Sequence, residues 1–370
     1  MKPRILVISN YNDFHTVRPE AEILLGLQRR GFGVDVMTYG GSEYARRFAE
    51  AGMKVIDFHP RHKFDRKECM RVRLALKEGA YDILQLFNSP AIVTGLRAAR
   101  GLPVKVVLYR GYTGNIHWYD PTAYLKYLHP RVDAVICNSL GVEQLLKRQL
   151  FFRKEKAVTI NKGHDLSWYA GTEPADLKAF GIPEGAFTVA CVANNRPMKG
   201  VPWLLRSLRH LSPGLPLHLL LLGRDMDTPR NRALIRGSGY EDRVHFPGFV
   251  PEVLRVVKAC NAFVLPSLFG ESITKSVLEA MCLGIPPLIT DIPGNLELVE
   301  EGVSGLVVPP RNPAALGLAL ERLVREPQLA EYLGKGARER IQGPLNHQRS
   351  VSGYAALYER LTALTHRAER

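Results

Sequence analysis

Short apolar runs and longer amphipathic stretches alternate along the whole chain. In the first half, β-rich runs at residues 4–9, 34–38, 55–58, 83–87, 104–109 and 134–137 predict strands. The stretch 20–30 between the first two reads as a helix, with Pro19 suited to its first position and Gly31 to its stop. The second half repeats the plan, with strands predicted at 187–192, 217–222, 244–246, 262–266 and 286–290 and helical segments between them. Strands that are apolar almost throughout, alternating with helices, predict parallel sheets covered on both faces. Two such series in succession predict an α/β chain of two Rossmann-like β/α/β domains facing a central cleft. The connection lies within 161–183. The expected division is 1–165 for the first domain and 166–349 for the second. Residues 350–370 then form an amphipathic helix (Tyr354, Leu357, Tyr358, Leu361, Leu364) that packs back on the first domain.

Composition fits this plan. The chain has 370 residues and 46% hydrophobic content, enough for two buried cores. No apolar run reaches bilayer-spanning length, and the start of the chain lacks the apolar core of a signal peptide. The five cysteines (Cys69, Cys137, Cys191, Cys260, Cys282) are widely spaced, without a Cys-x-x-Cys. That pattern predicts buried thiols in a cytoplasmic protein and supplies neither a disulfide frame nor a zinc site.

Charge changes the picture more. The net charge is +14, and residues 1–170 hold 27 Lys+Arg against 16 Asp+Glu. The densest stretch is Arg61, Lys63, Arg66, Lys67, Arg71 and Arg73, just after Arg46 and Arg47. One reading is a solvated face. The other is a surface for an anionic acceptor or for the inner face of an anionic membrane, each basic residue there adding about 1 kcal/mol. Nucleic acid is not expected, because no aromatic platform interleaves the cations.

The most informative segment runs from Phe269 through Gly270, Glu271, Ser272, Ile273, Thr274 and Lys275 to Glu279, Ala280 and Met281. It follows a predicted strand ending at Pro266 and opens a helix. Glu271 falls before the helix and Glu279 about two turns into it, so each carboxylate can accept hydrogen bonds from a different pair of hydroxyls. The first N–H groups and the dipole of the helix suit a pyrophosphate between them. Taken alone, the same spacing also describes an amphipathic helix with an incidental acid at each end.

With its neighbours the segment is more specific. Pro266-Ser267, the two glutamates with seven residues between them, Gly284-Ile285-Pro286, Thr290-Asp291, Gly302 to Gly305 and Val308-Pro309-Pro310 together resemble the donor half of family 4 glycosyltransferases of the GT-B fold. Weaker likeness extends to Asn138-Ser139, to Asn161 through Asp165, and to Lys199-Gly200 with Leu204-Leu205. The resemblance implies that Glu279 binds the donor ribose and Glu271 the hydroxyls of the transferred sugar. It implies a retaining hexosyl transfer from a nucleoside-diphosphate sugar to a glycan or lipid-linked acceptor, in envelope or exopolysaccharide assembly, with no cofactor and no metal.

The chain departs from the family pattern at several points. Relatives carry an arginine five residues before the lysine; here Asn194 stands there and Arg196 lies three before Lys199. Arg196 and Lys199, with Gly200, are the expected donor-phosphate group. The usual Gly-Phe-Gly reads Ser272-Ile273-Thr274, where the hydroxyls are expected to cap the helix or meet phosphate, and Lys275 either faces phosphate or is solvated. In the first half, His15 and Arg18, in a polar loop after strand one, are acceptor-side candidates. In the run from Arg110 through Gly111, Tyr112, Thr113, Gly114, Asn115 and Ile116 to His117, relatives have a histidine where Arg110 stands, so Arg110 and His117 are catalytic-side candidates. Asp225-Met226-Asp227 invites a metal reading, but it follows an apolar strand where relatives have a short turn, and a loop is expected.

Two other enzyme types and one binder share the fold: a sugar-nucleotide epimerase, a phosphorylase, and a nucleotide-sugar-binding protein without turnover. A dinucleotide oxidoreductase is disfavoured, since no Gly-x-Gly-x-x-Gly opens the first helix.

Overall fold

The computed structural model describes residues 2–114 and 116–368, with side chains to residue 363. Asn115 and the side chain of Leu364, both named above, lie outside them, as does the end of the range 350–370. The chain forms two compact units. One holds the described residues up to Gly163 and from His347 onward; the other is His164–Asn346.

The first unit alternates β1 (Arg4–Ile8), α1 (Phe14–Arg29), β2 (Gly33–Thr38), α2 (Glu43–Glu50), β3 (Val55–Asp57), α3 (Arg66–Gly79), β4 (Ile83–Leu86), α4 (Ser89–Ala98), β5 (Lys105–Arg110), β6 (Ala134–Cys137), α5 (Leu140–Gln149) and β7 (Ala157–Thr159). The strands form one sheet in the order β3-β2-β1-β4-β5-β6-β7, every pair parallel. In the middle, Val7 stands beside Val36 on one side and Gln85 on the other. One face of the sheet is covered by α3, α4 and α5 and the other by α1 and α2.

The second unit contains β8 (Phe187–Val192), α6 (Val201–Ser207), β9 (Leu217–Leu222), α7 (Pro229–Ile235), β10 (Val244–Gly248), α8 (Val253–Ala259), β11 (Ala262–Leu265), α9 (Lys275–Cys282), β12 (Pro287–Thr290), α10 (Asn295–Leu298), β13 (Leu306–Val308), α11 (Pro313–Arg325) and α12 (Pro327–Gln342). Its strands form a parallel sheet in the order β10-β9-β8-β11-β12-β13. The direction of winding reverses between β8 and β11, which is where open α/β sheets bind their ligands, beyond the carboxyl ends of the strands.

The final helix, α13 (His347–Ala368), returns to the first unit and lies along α1. Val351, Tyr354 and Tyr358 are fully buried there, and the Tyr358 hydroxyl donates to Gln85 Oε1 at 3.1 Å. Fully burying such side chains contributes about 1.5–3 kcal/mol each.

One element starts earlier than its pattern indicates. The first helix begins at Phe14, capped by Asp13, whose carboxylate accepts from Thr16 N at 3.1 Å. Pro19 is therefore inside the helix, and His15 and Arg18 sit on its first turns, outside the preceding loop. Among the described residues no helix is long and apolar enough to cross a membrane.

Candidate functional site

The site forms where two loops of the second unit meet at the carboxyl ends of β8 and β11. The β8 loop carries Arg196 and Lys199; the β11 loop carries Glu271 to Thr274. Leu268 N donates to Met198 O at 2.7 Å and clasps the loops together. Gly200 makes the approach possible. Its φ is +70°, and a Cβ there would lie 1.9 Å from Pro266 O, so only glycine fits. Gly200, expected among the donor ligands, thus has a backbone role.

Glu271 is the hub. Its Oε1 accepts from Lys199 Nζ at 2.6 Å and from Ser267 Oγ at 2.8 Å, and its Oε2 from Thr274 Oγ1 at 3.1 Å. The carboxylate is buried and its charge is matched by the half-buried Lys199. Three donors leave room, since a carboxylate offers about four lone-pair sites. Burial pushes the Cys191 thiol, at the end of β8, up to about 12, with Lys199 pulling the other way.

The helix that follows has an open start. Thr274 is its N-cap residue by backbone geometry, but its hydroxyl is spent on Glu271 and makes no cap hydrogen bond. This corrects the expectation that Thr274 caps the helix. Without a Thr274 cap, the first N–H groups of α9 can serve an anion. Lys275, the first helical residue, pairs with Glu279 one turn on. A cation in a first turn opposes the helix dipole, and lysine preceding glutamate is the weaker order for such a pair. That arrangement is poor for helix stability and good for holding an anion.

Ile273 does not line the site; it is buried in the core with Val277, Leu278 and Ile289. Apolar side chains in an otherwise polar loop turn inward for that reason. Ser272 is buried, and its backbone abuts Gly294, where a Cβ would come within 2.6 Å of Ser272 O. Arg196 is exposed on the β8 loop.

Next to Asn194 on that loop lies a cavity of about 280 Å³ over the ends of β8, β9 and β10, lined by Val192, Leu222, Arg224, Phe249 and Val253. The Arg224 guanidinium lies over the exposed Phe249 ring at 5.2 Å. Sequence reasoning did not find this pair; a basic residue and an aromatic just past neighbouring strand ends was the available signal. Asp225 and Asp227 are loop residues, Asp227 gripped by Arg232 through two contacts of 2.6 and 2.8 Å.

The remaining candidates belong to the first unit. Arg110 is buried and staples its own loop: Nε donates to Tyr112 O at 3.0 Å, Nη2 to Gly114 O, and the guanidinium stacks 3.6 Å from the Tyr112 ring centre. Its position at the end of β5 makes it a loop anchor, in place of the free catalytic-side group expected from sequence. His117 is exposed and stacks on Tyr119. His15 is exposed, while the Arg18 guanidinium lies over Phe14.

Two family models divide the chain between them: "Glycosyl transferases group 1" matches residues 172–340 and "Glycosyltransferase Family 4" matches residues 21–168. The chain belongs to the family 4 glycosyltransferases. The fold of this glycosyltransferase is GT-B, as in a glycosyltransferase from Rickettsia africae ESF-5 (TM-score 0.80, 15% identity, 97% of this chain and 98% of that one). Anabaena Alr3699/HepE in complex with UDP has a TM-score of 0.74 at 19% identity, covering 97% of this chain and 100% of that one. Among sequence relatives, the lipopolysaccharide core biosynthesis mannosyltransferase LpcC of Rhizobium leguminosarum bv. viciae is 28% identical over 285 residues, 74% of this chain and 76% of that one. The putative colanic acid biosynthesis glycosyltransferase WcaL of Escherichia coli (strain K12) is 32% identical over 205 residues, 53% of this chain and 49% of that one. This glycosyltransferase thus spans about three quarters of the first relative and about half of the second.

Proposed function

We propose that this glycosyltransferase moves a hexose from a nucleoside-diphosphate sugar to a glycan or lipid-linked acceptor of envelope polysaccharide, with retention of configuration and without a metal. The names of its relatives support the acceptor class. The observation that carries the donor reading is the uncapped start of α9 set between the carboxylates of Glu271 and Glu279.

In this reading the pyrophosphate takes the first N–H groups of α9. Lys275 releases Glu279 to the ribose diol and turns to phosphate, which relieves its conflict with the helix dipole. The base enters the cavity between Asn194 and Phe249, under Arg224. The open lone pair of Glu271 accepts from a hydroxyl of the sugar. Lys199, held by Glu271, and Arg196 offset charge that develops on the departing diphosphate, the transition-state contribution on which the reaction depends. A cationic pair in that place performs the service a metal would otherwise give.

Thermal unfolding with UDP, GDP and ADP, each with and without EDTA, tests this. A ligand at about one hundred times its dissociation constant adds about 2.7 kcal/mol. One diphosphate is expected to raise the midpoint equally with and without chelator. A rise that EDTA abolishes contradicts the metal-free site, and no rise with any of them contradicts the donor reading.

A further inference from the structure

The first unit carries an exposed aromatic patch that the donor chemistry does not use. After β5 the chain descends through Trp118 and Tyr119, and after α5 it turns through Phe151 and Phe152. Phe152 is 84% exposed, Tyr119 66%, Phe151 62% and Trp118 53%. Large apolar side chains scattered singly on a surface are ordinary, but these are contiguous. Trp118 meets Phe151 edge-on at 5.7 Å and Tyr119 edge-on at 5.7 Å.

The patch is held firmly. Trp118 N donates to Gln149 Oε1 at 3.1 Å, joining the two segments, and the Tyr124 hydroxyl donates to Trp118 O at 2.8 Å. Arg153, directly after the two phenylalanines, has φ +53°, a left-handed conformation that costs a non-glycine residue about 1–2 kcal/mol. The turn therefore carries strain while displaying two apolar rings to water.

Its frame is cationic. Arg148, Arg153 and Lys154, within three residues of the two phenylalanines in sequence, are exposed. Of the nearby acids, Glu155 lies 3.9 Å from Arg153, and Asp120 is spent capping Thr122.

We propose that this patch seats the protein on an anionic bilayer, with Phe151 and Phe152 entering the headgroup–acyl boundary and Trp118 and Tyr119 lying at headgroup level. Rings with polar edges beside all-carbon rings, framed by arginine and lysine, match what such a boundary favours. A glycan site calls for polar groups converging in a concavity, whereas these rings stand proud of the surface. A second copy of the chain would set one cationic frame against another. The densest basic run is less free than its sequence indicates: Arg71 stacks on Phe58 and Arg73 donates to Ala98 O and Arg100 O. The inference extends the proposed lipid-linked acceptor and concerns a surface made of other residues than the donor site.

Co-sedimentation of the full chain with phosphatidylcholine vesicles, alone or with about 30% phosphatidylglycerol at low salt, tests it. The wild type is expected to prefer the anionic vesicles about tenfold or more, and F151S/F152S to bind them about tenfold more weakly while keeping its unfolding midpoint. R148Q/R153Q/K154Q is expected to lose the preference for anionic lipid. Absence of wild-type binding, equal binding by F151S/F152S, or a dimer lost in that variant without a change in vesicle binding overturns the proposal. The nucleotide-induced shift of the same preparations reads the donor site separately, so either idea can fail alone.

Discussion

Lys199 Nζ lies 2.6 Å from Glu271 Oε1, joining loops that leave two neighbouring strands at the point where the sheet reverses its winding. This contact sets the position of the Glu271 carboxylate, proposed above to meet the donor sugar, so that proposed role is joined to local stability.

Removing one partner of a buried pair costs more than the pair itself contributes, because the other charge is left without compensation. Lys199→Ala is therefore expected to lower unfolding stability by about 3 kcal/mol. Glu271→Gln keeps one oxygen to accept from Ser267 but turns its amide N–H groups towards Thr274, and it leaves the more exposed Lys199 without a counter-charge, so a smaller loss of about 1–2 kcal/mol is expected. Urea denaturation of both variants checks this ordering; equal losses would refute the account of the pair.

The same loops depend on Gly200. Gly200→Ala drives a Cβ to 1.9 Å from Pro266 O, a backbone atom that cannot step aside. Gly185 also has positive φ, at +79°, but nothing stands within 4 Å of its Cβ position. Gly185→Ala is expected to cost about 1–2 kcal/mol, the conformational penalty alone. Gly200→Ala is expected to cost clearly more and to abolish the nucleotide-induced thermal shift.

Stability should carry an acid-sensitive component from α11. Hydrogen bonds from Ser212 N and Ser212 Oγ, with Arg325 beside them, hold the Glu321 carboxyl down at about 2. Its folded value lies below its unfolded one, so the contribution is complete above about pH 4.3 and is lost as pH falls towards 2. The difference in urea midpoint between wild type and Glu321→Gln is expected to be constant from neutral pH to about pH 5 and to vanish near pH 2. A difference that persists at pH 2 would show that Glu321 acts through packing instead.

The strands were legible where burial on both faces forces an unbroken apolar run: β6, β8 and β9 begin and end where that run does. The three-residue edge strands β7 and β13 were not delimited. The start of α1 was hidden because its cap, Asp13, reads equally well as loop and Pro19 suits a first helical position. In the candidate site, the glutamate spacing marked the loop and helix where Lys199, Ser267 and Thr274 converge on Glu271. Ile273 was misplaced because spacing cannot tell a side chain turned to the ligand from one turned to the core. The Arg224–Phe249 pair and the patch at Trp118 and Phe151 come from segments distant in sequence, and only folding brings them together.

The central claim is that Glu279 holds the donor ribose. It is tested most directly by titrating calorimetrically the diphosphate that stabilises the protein, and its 2′,3′-dideoxy counterpart, into wild type and Glu279→Ala. Wild type is expected to prefer the ribonucleotide by about 10- to 100-fold, equivalent to about 1.4–2.7 kcal/mol for hydrogen bonds to a charged acceptor, and the variant to bind both alike. An undiminished preference in Glu279→Ala would contradict the account.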